Sequence, residues 1–304
     1  VVTALWLDNG LIRLGFVPEL GGRLLSVRVG ATELLWRNPL LLTDDLSPVG
    51  EHVFGPNDGR MGDWVNYGGD KTWPAPQGGA GPGQWAGPPD PVLDSGPYTV
   101  DTTADAVTMT SGDDPHTGLR LTRRFSLADR GYRLDLIATN VSDRPVRWAL
   151  WNVTQFAGGG EVFVALRDHP APVVDLVAGT GNPRSELTGG GALVPNQDVV
   201  GKLGFPGAAG SLSYIADGWR STFSFAVDPA ATYPDHGSPV EVWLEHPLPE
   251  PLAALGDLDP PARIVECEVL GPLTDLAPGA QTSLTIDAEF AELAERPLNT
   301  VEET

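Results

Sequence analysis

Apolar and polar residues alternate with a period of two along most of this chain. Residues 4–16 (Ala-Leu-Trp-Leu-Asp-Asn-Gly-Leu-Ile-Arg-Leu-Gly-Phe) read as two strands joined by an Asp-Asn-Gly turn, a strong hairpin signal. Residues 24–29 and 33–36 extend this into an antiparallel meander. Alternation resumes over residues 100–111, 119–127, 132–140 and 146–156, then over 162–166, 212–216, 222–227, 240–246, 264–270 and 283–288. Turn-forming clusters such as Ser111-Gly112-Asp113-Asp114-Pro115 and Ser142-Asp143-Arg144-Pro145 separate the runs. No segment carries a convincing helical stripe, although residues 290–296 fit either a short helix or the end of a strand. Many short strands without a helical layer predict an all-β fold. The strands follow no fixed sequence period and no linker splits the chain, so one large antiparallel sandwich over residues 1–304 is the economical reading.

Two regions break the alternation. Residues 157–210 are rich in Gly, Pro, Asn and Asp, with a strand expected only at 162–166. Residues 37–96 are irregular too, and the part at 55–96 reads as a long aromatic Pro/Gly-rich loop. Prolines 74, 76, 82, 88 and 89 fix φ and remove backbone donors, which argues against a helix or a central strand there. Yet Tyr67, Trp73 and Trp85 are large apolar groups, and Asp70, Lys71, Gln77, Gln84 and Asp90 are polar ones. Aromatics argue against disorder. Rings flanked by polar groups suit a sugar, whose C–H face lies on a ring while its hydroxyls take the hydrogen bonds. The same tryptophans could equally plug the end of a sheet.

Composition narrows the partners. A net charge of −21 argues against nucleic acid and anionic membranes as partners. No stretch has the length of a transmembrane helix. The single cysteine, Cys267, excludes an intramolecular disulfide and leaves the compartment open, cytoplasmic or exported; the chain begins at Val1, which is compatible with a removed leader. No zinc spacing, phosphate loop or serine-hydrolase elbow is present, so no cofactor is expected. Asp44-Asp45, Asp113-Asp114 and the Asp257/Asp259 pair match no calcium loop and read as solvated charge.

Glu266 and Glu268 lie two apart in a strand and so share a face, while Val265, Cys267 and Val269 share the other. Paired carboxylates can raise one another's pKa and so suit proton transfer; on a half-exposed sheet they could also simply face water.

Five blocks then occur in order: Gly21-Gly22-Arg23; Gly68-Gly69-Asp70-Lys71-Thr72-Trp73-Pro74-Ala75-Pro76-Gln77; Trp151-Asn152-Val153-Thr154-Gln155; Tyr233-Pro234-Asp235-His236-Gly237; and Glu266-Cys267-Glu268-Val269-Leu270-Gly271-Pro272. Together they resemble the galactose mutarotase-like superfamily, in its DUF4380-type branch, over nearly the whole chain. The resemblance implies a β-supersandwich with a carbohydrate site on a concave face. In aldose 1-epimerases of that superfamily a late Glu removes the proton of the anomeric hydroxyl and a His protonates the ring oxygen. An Arg and a second His help to hold the sugar.

By that resemblance Glu268 matches the base, with Glu266 beside it. The strand that would carry the acidic His, residues 148–156, holds Asn152 and Gln155 and no His. Asn and Gln can hold a hydroxyl but cannot supply a proton. His236, after Asp235 in a turn, and His246, beside Glu245, are the histidines placed to swing into a site. Arg60, Tyr67, Asp70, Lys71, Trp73 and Gln77 are the other expected sugar contacts, and Arg23 is expected to brace a turn. Three functions fit: a carbohydrate-active enzyme (epimerase, lyase or hydrolase) acting on a sugar or a sugar acid, whose carboxylate Lys71 could take, a non-catalytic carbohydrate-binding protein, and an interaction domain.

Overall fold

The computed structural model describes residues 4–56, 64–78, 90–168 and 170–293. Arg60, Gln84, Trp85 and His169 lie outside the described residues. Two large antiparallel sheets face each other, and the chain passes repeatedly between them. The first sheet opens with β1 (Leu5–Asp8), β2 (Ile12–Val17), β3 (Arg23–Val29), β4 (Thr32–Glu33) and β5 (Asp70–Ala75). The second sheet opens with β6 (Thr99–Thr102), β7 (Ala106–Thr110), β8 (Leu119–Ala128) and β9 (Gly131–Asn140). The chain then alternates: β10 (Val146–Ala157) in the first, β11 (Glu161–Leu166) in the second, β12 (Val174–Ala178) in the first, β13 (Glu186–Thr188) and β14 (Gly191–Val194) in the second. β15 (Gly201–Gly204) rejoins the first sheet, and β16 (Ala208–Ala216) and β17 (Trp219–Phe225) the second. β18 (Val240–Glu245), β19 (Ile264–Leu270) and β20 (Thr274–Leu276) complete the first sheet, and β21 (Gln281–Glu292) the second. The all-β antiparallel sandwich expected from the alternation is the fold observed.

The opening hairpin forms as its sequence dictates, with Asn9 Oδ1 accepting the amides of Leu11 and Ile12 at 2.9 Å. Between the sheets, Leu121, Phe125, Leu134 and Leu136 of the second sheet join Leu150, Phe156, Val242 and Cys267 of the first in one apolar core. Phe156 stacks on Tyr214 across that gap with ring centroids 4.6 Å apart. One charged pair is embedded there. Arg123 occupies an inward position of β8 between Leu121 and Phe125, and its guanidinium pairs with Asp70 of β5, neither side chain being exposed. Asn152 Nδ2 and Thr154 Oγ1 donate to the other carboxylate oxygen of Asp70 at 2.7 and 2.6 Å, so each oxygen has a partner.

Three expectations are corrected. The Pro/Gly-rich stretch contains a fully buried strand, β5, inside the first sheet between β3 and β10. Gly68 and Gly69 lead into it with φ of 88° and 75°, and a Cβ at Gly69 would stand 2.3 Å from the Leu24 carbonyl oxygen. β3 meets β5 only at Asp70, so the rest of that edge has no ladder for Pro74 to interrupt. Residues 157–210 carry strands β12 to β15 besides the expected β11, each only three to five residues long. Asp114 is buried, its carboxylate accepting the Thr117 amide and hydroxyl at 2.8 and 2.5 Å, rather than solvated.

Candidate functional site

The register of the first sheet puts a set of polar and aromatic side chains on the face turned away from the second sheet. Residues directly opposite one another share a face. Trp73 of β5 lies opposite Trp151 of β10, and Gln155 of β10 lies opposite Glu266 of β19. Glu268 lies opposite Glu241 of β18, Glu266 opposite Trp243, and Trp243 opposite Lys202 of β15. A cavity of about 420 Å³ opens on this face. Its walls include Trp64, Trp73, Trp151 and Trp243 together with Glu241, Glu245, Glu266 and Lys202. Leu176 and Val177 of β12, with Ala254 and Leu255 of the single helical turn Ala253–Leu255 and Gly256 after it, form an apolar wall. Asp235 and His236 stand on the rim.

Each lysine on this face serves carboxylates. Lys71 Nζ lies 3.0 Å from Glu266 Oε1, which also accepts Gln155 Nε2 at 2.6 Å. Burial pushes the Lys71 pKa down, and the Glu266 charge partly restores it. Lys202 Nζ donates to Glu241 Oε2 and Glu268 Oε2, each at 2.7 Å. Burial works against the Lys202 charge, but the two carboxylates outweigh it and raise its pKa. Burial pushes the Glu268 carboxyl up, opposed by Lys202. Both ammonium groups rest on indole faces, Lys71 at 4.6 Å from the Trp73 centroid and Lys202 at 4.4 Å from that of Trp151.

Glu245 is the carboxyl whose state changes near neutrality. Burial pushes it up to about 7, and the Glu266 charge adds to the effect. Trp243 Nε1 donates to its Oε2 at 3.0 Å, while Oε1 is buried without a hydrogen-bond partner. Glu245 and Glu266 lie on neighbouring strands and share one face of the sheet, an arrangement suited to a proton donor and a proton acceptor.

The candidates read from the sequence divide into three groups. Glu266, Trp73, Gln77 and His236 line the cavity. Glu268 and Lys71 lie directly beneath its wall, Glu268 with none of its surface exposed against 9% for Glu266. Gln155 holds Glu266. Asp70 and Asn152 face the opposite way, into the gap between the sheets, where they serve Arg123 and each other. Tyr67 packs in a second apolar cluster with Val17, Leu20 and Leu25, its hydroxyl 3.0 Å from His52 Nε2. His246 places Nδ1 3.0 Å from the Pro247 carbonyl oxygen and does not line the cavity. Arg23 braces a turn as expected, donating to Asp94 Oδ1 at 2.6 Å; that same oxygen accepts Trp73 Nε1 at 3.0 Å. Arg60 lies outside the described residues.

Lys202, Glu241, Trp243 and Glu245 were not anticipated. The alternation Glu241-Val242-Trp243-Leu244-Glu245 is the same signal that marked Glu266 and Glu268, and it sits on the neighbouring strand. Lys202 gave no comparable signal, because β15 has only four residues, two of them glycine.

The two-sheet antiparallel sandwich has the galactose mutarotase-like fold. A galactose mutarotase-like protein from Lactobacillus casei superposes with a TM-score of 0.60 at 14% identity, covering 95% of this chain and 100% of its own. A candidate aldose 1-epimerase from Escherichia coli K12 gives a TM-score of 0.62 at 14% identity over 96% of this chain and 100% of its own. A galactose mutarotase related enzyme from Lactobacillus acidophilus gives 0.56 at 12% identity over 97% and 99%. The family described as domain of unknown function DUF4380 matches residues 2–287, and the chain belongs to that family. No curated protein matches the chain in sequence. Among the described residues no helix is long and apolar enough to cross a membrane.

Proposed function

We propose that the protein acts on a carbohydrate seated in this cavity, in an aldose 1-epimerase type of reaction. Glu266 is the base and Glu245 the proton donor. The observation that carries this reading is the pair itself. Both carboxyl groups line one cavity, Lys71 and Gln155 hold Glu266, and burial pushes the Glu245 carboxyl up to about 7. Glu266 would take the proton of the anomeric hydroxyl while Glu245 gives one to the ring oxygen. The ring C–O bond breaks to an open-chain aldehyde, and reclosure from either face returns both protons. A carboxylic acid in an apolar pocket can thus do the work of an imidazolium. The base moves from Glu268 to Glu266 because Glu268 is sealed beneath Trp151 and Lys202. Indole faces around the cavity suit the C–H face of a pyranose.

Exchange between α and β anomers, followed by NMR over a panel of aldoses, tests this. The expected result is acceleration over the uncatalysed rate, lost by at least about a hundredfold in Glu266→Gln and in Glu245→Gln, the usual scale for general acid–base groups. A second reading, non-catalytic carbohydrate binding, is favoured by strand β10, which carries no His. Under it a sugar binds and its anomers exchange at the uncatalysed rate.

A further inference from the structure

The charge lining the cavity is lopsided. Among the described residues Asp235, Glu241, Glu245 and Glu266 meet the cavity as carboxyl groups, and Lys202 is the one lysine or arginine. That lysine is already shared between Glu241 and Glu268, and Lys71 behind the wall is paired with Glu266. Neither is free to receive an anionic ligand, and a carboxylate or phosphate entering here would meet like charge in a low-dielectric site.

The excess concentrates at one end. Glu241 is fully buried, with Oε2 on Lys202 and Oε1 lacking any hydrogen-bond partner. Asp235 lines the same cavity, and its charge acts on Glu241. The backbone there is unusual. Asp235 and His236 are consecutive non-glycine residues with φ of 47° and 61°, in the left-handed region. Such strain clusters where a side chain must be aimed at something. The turn is held by Ser238, whose Oγ donates to the Asp235 carbonyl at 2.8 Å and whose amide donates to the Pro234 carbonyl at 2.9 Å.

We infer that the cavity selects a sugar bearing an amino group, its ammonium seated between Asp235 and Glu241. This rests on the carbohydrate reading above and adds the charge class of the substrate. An ammonium offers three donors and a positive charge, which the unpartnered oxygen of Glu241 and the rim carboxylate both lack. Burial pushes the Glu241 carboxyl well up, Lys202 opposes this, and Glu268 and Asp235 add to it. The remaining indoles receive the rest of the ring.

The test is calorimetric titration of the intact chain at pH 7 with three matched series built on glucose and on galactose: the 2-amino sugar, the parent sugar and the uronic acid. The expected result is at least about tenfold tighter binding of the amino sugar than of the parent, with the uronic acid weakest. The N-acetylated amino sugar, which has the shape without the charge, loses that advantage. Asp235→Asn lowers amino-sugar affinity about tenfold more than it lowers that of the parent sugar, so the preference between the two collapses. Parent sugars binding as tightly as amino sugars, or uronic acids binding best, would overturn the inference while leaving a carbohydrate site. If no sugar of any charge class binds, the carbohydrate reading itself falls and takes this inference with it.

Discussion

Asp70 of β5 and Arg123 of β8 form an ion pair that joins the two sheets through the middle of the apolar core, with neither side chain exposed. Removing one partner strands the other charge in the core. Asp70→Ala or Arg123→Ala is therefore expected to cost about 3–5 kcal/mol of stability. Replacing both with apolar residues of similar volume recovers much of that loss. Denaturant unfolding of the two single variants and the double variant measures it; additive losses would contradict the pairing.

Stability should fall as pH rises through the range where Glu245 titrates. Its carboxyl is near its ordinary 4.5 when unfolded and pushed up to about 7 when folded, by burial first and then by Glu266. Between those values the folded chain binds the extra proton, so its contribution is complete below about 4.5 and lost as pH rises through 7. The amount is on the order of 3 kcal/mol. Glu245→Gln, which stays neutral, is expected to flatten the profile of midpoint against pH over this window. An unchanged slope in the variant would show that another group is responsible.

Among the described residues Lys202 is the sole lysine or arginine bonded to two buried carboxylates. Lys202→Met leaves Glu241 and Glu268 without it, at a cost of about 3–5 kcal/mol at neutral pH. Their pKa values rise further in the variant, so its deficit relative to the parent protein shrinks as pH falls and both carboxyls take up protons. Thermal unfolding of both proteins from pH 5 to pH 8 gives the comparison. A deficit independent of pH would mean that lost packing, not charge, is what the lysine supplies.

Cys267 lies in the inter-sheet register of β19 with 1% of its surface exposed, and burial pushes its thiol well up. Because the thiolate is the reactive form, a thiol reagent is expected to label it only after the chain unfolds. Mass spectrometry with and without denaturant checks this. Rapid labelling of the native protein would place a local opening between β18, β19 and β10.

How far the sequence discloses the molecule depends on how local each signal is. The hairpin of β1 and β2 and the shared face of Glu266 and Glu268 are legible because a strand's period of two decides them within a few residues. β5 is hidden, since Pro74 and the preceding glycines speak against a strand, and only the partial edge left by β3 makes the proline tolerable. The burial of the charged groups is hidden for a different reason. Lys71 finds Glu266 195 positions away, and Lys202 finds Glu268 66 positions away. A lone charged residue in a strand reads as solvent-facing until its distant partner is placed beside it. Asp70 shows the opposite error: its setting among aromatics suggests a ligand contact, while its partner Arg123 pulls it into the core.

The two lysine–indole contacts give the protein an internal optical reporter. Trp73 and Trp151 meet edge to face with ring centroids 5.2 Å apart, and each carries an ammonium on its face. The emission of these rings is sensitive to a cation held against them. Any occupant of the cavity that shifts Lys71 or Lys202 changes that emission, so occupancy can be followed by fluorescence without attaching a label or knowing the ligand in advance.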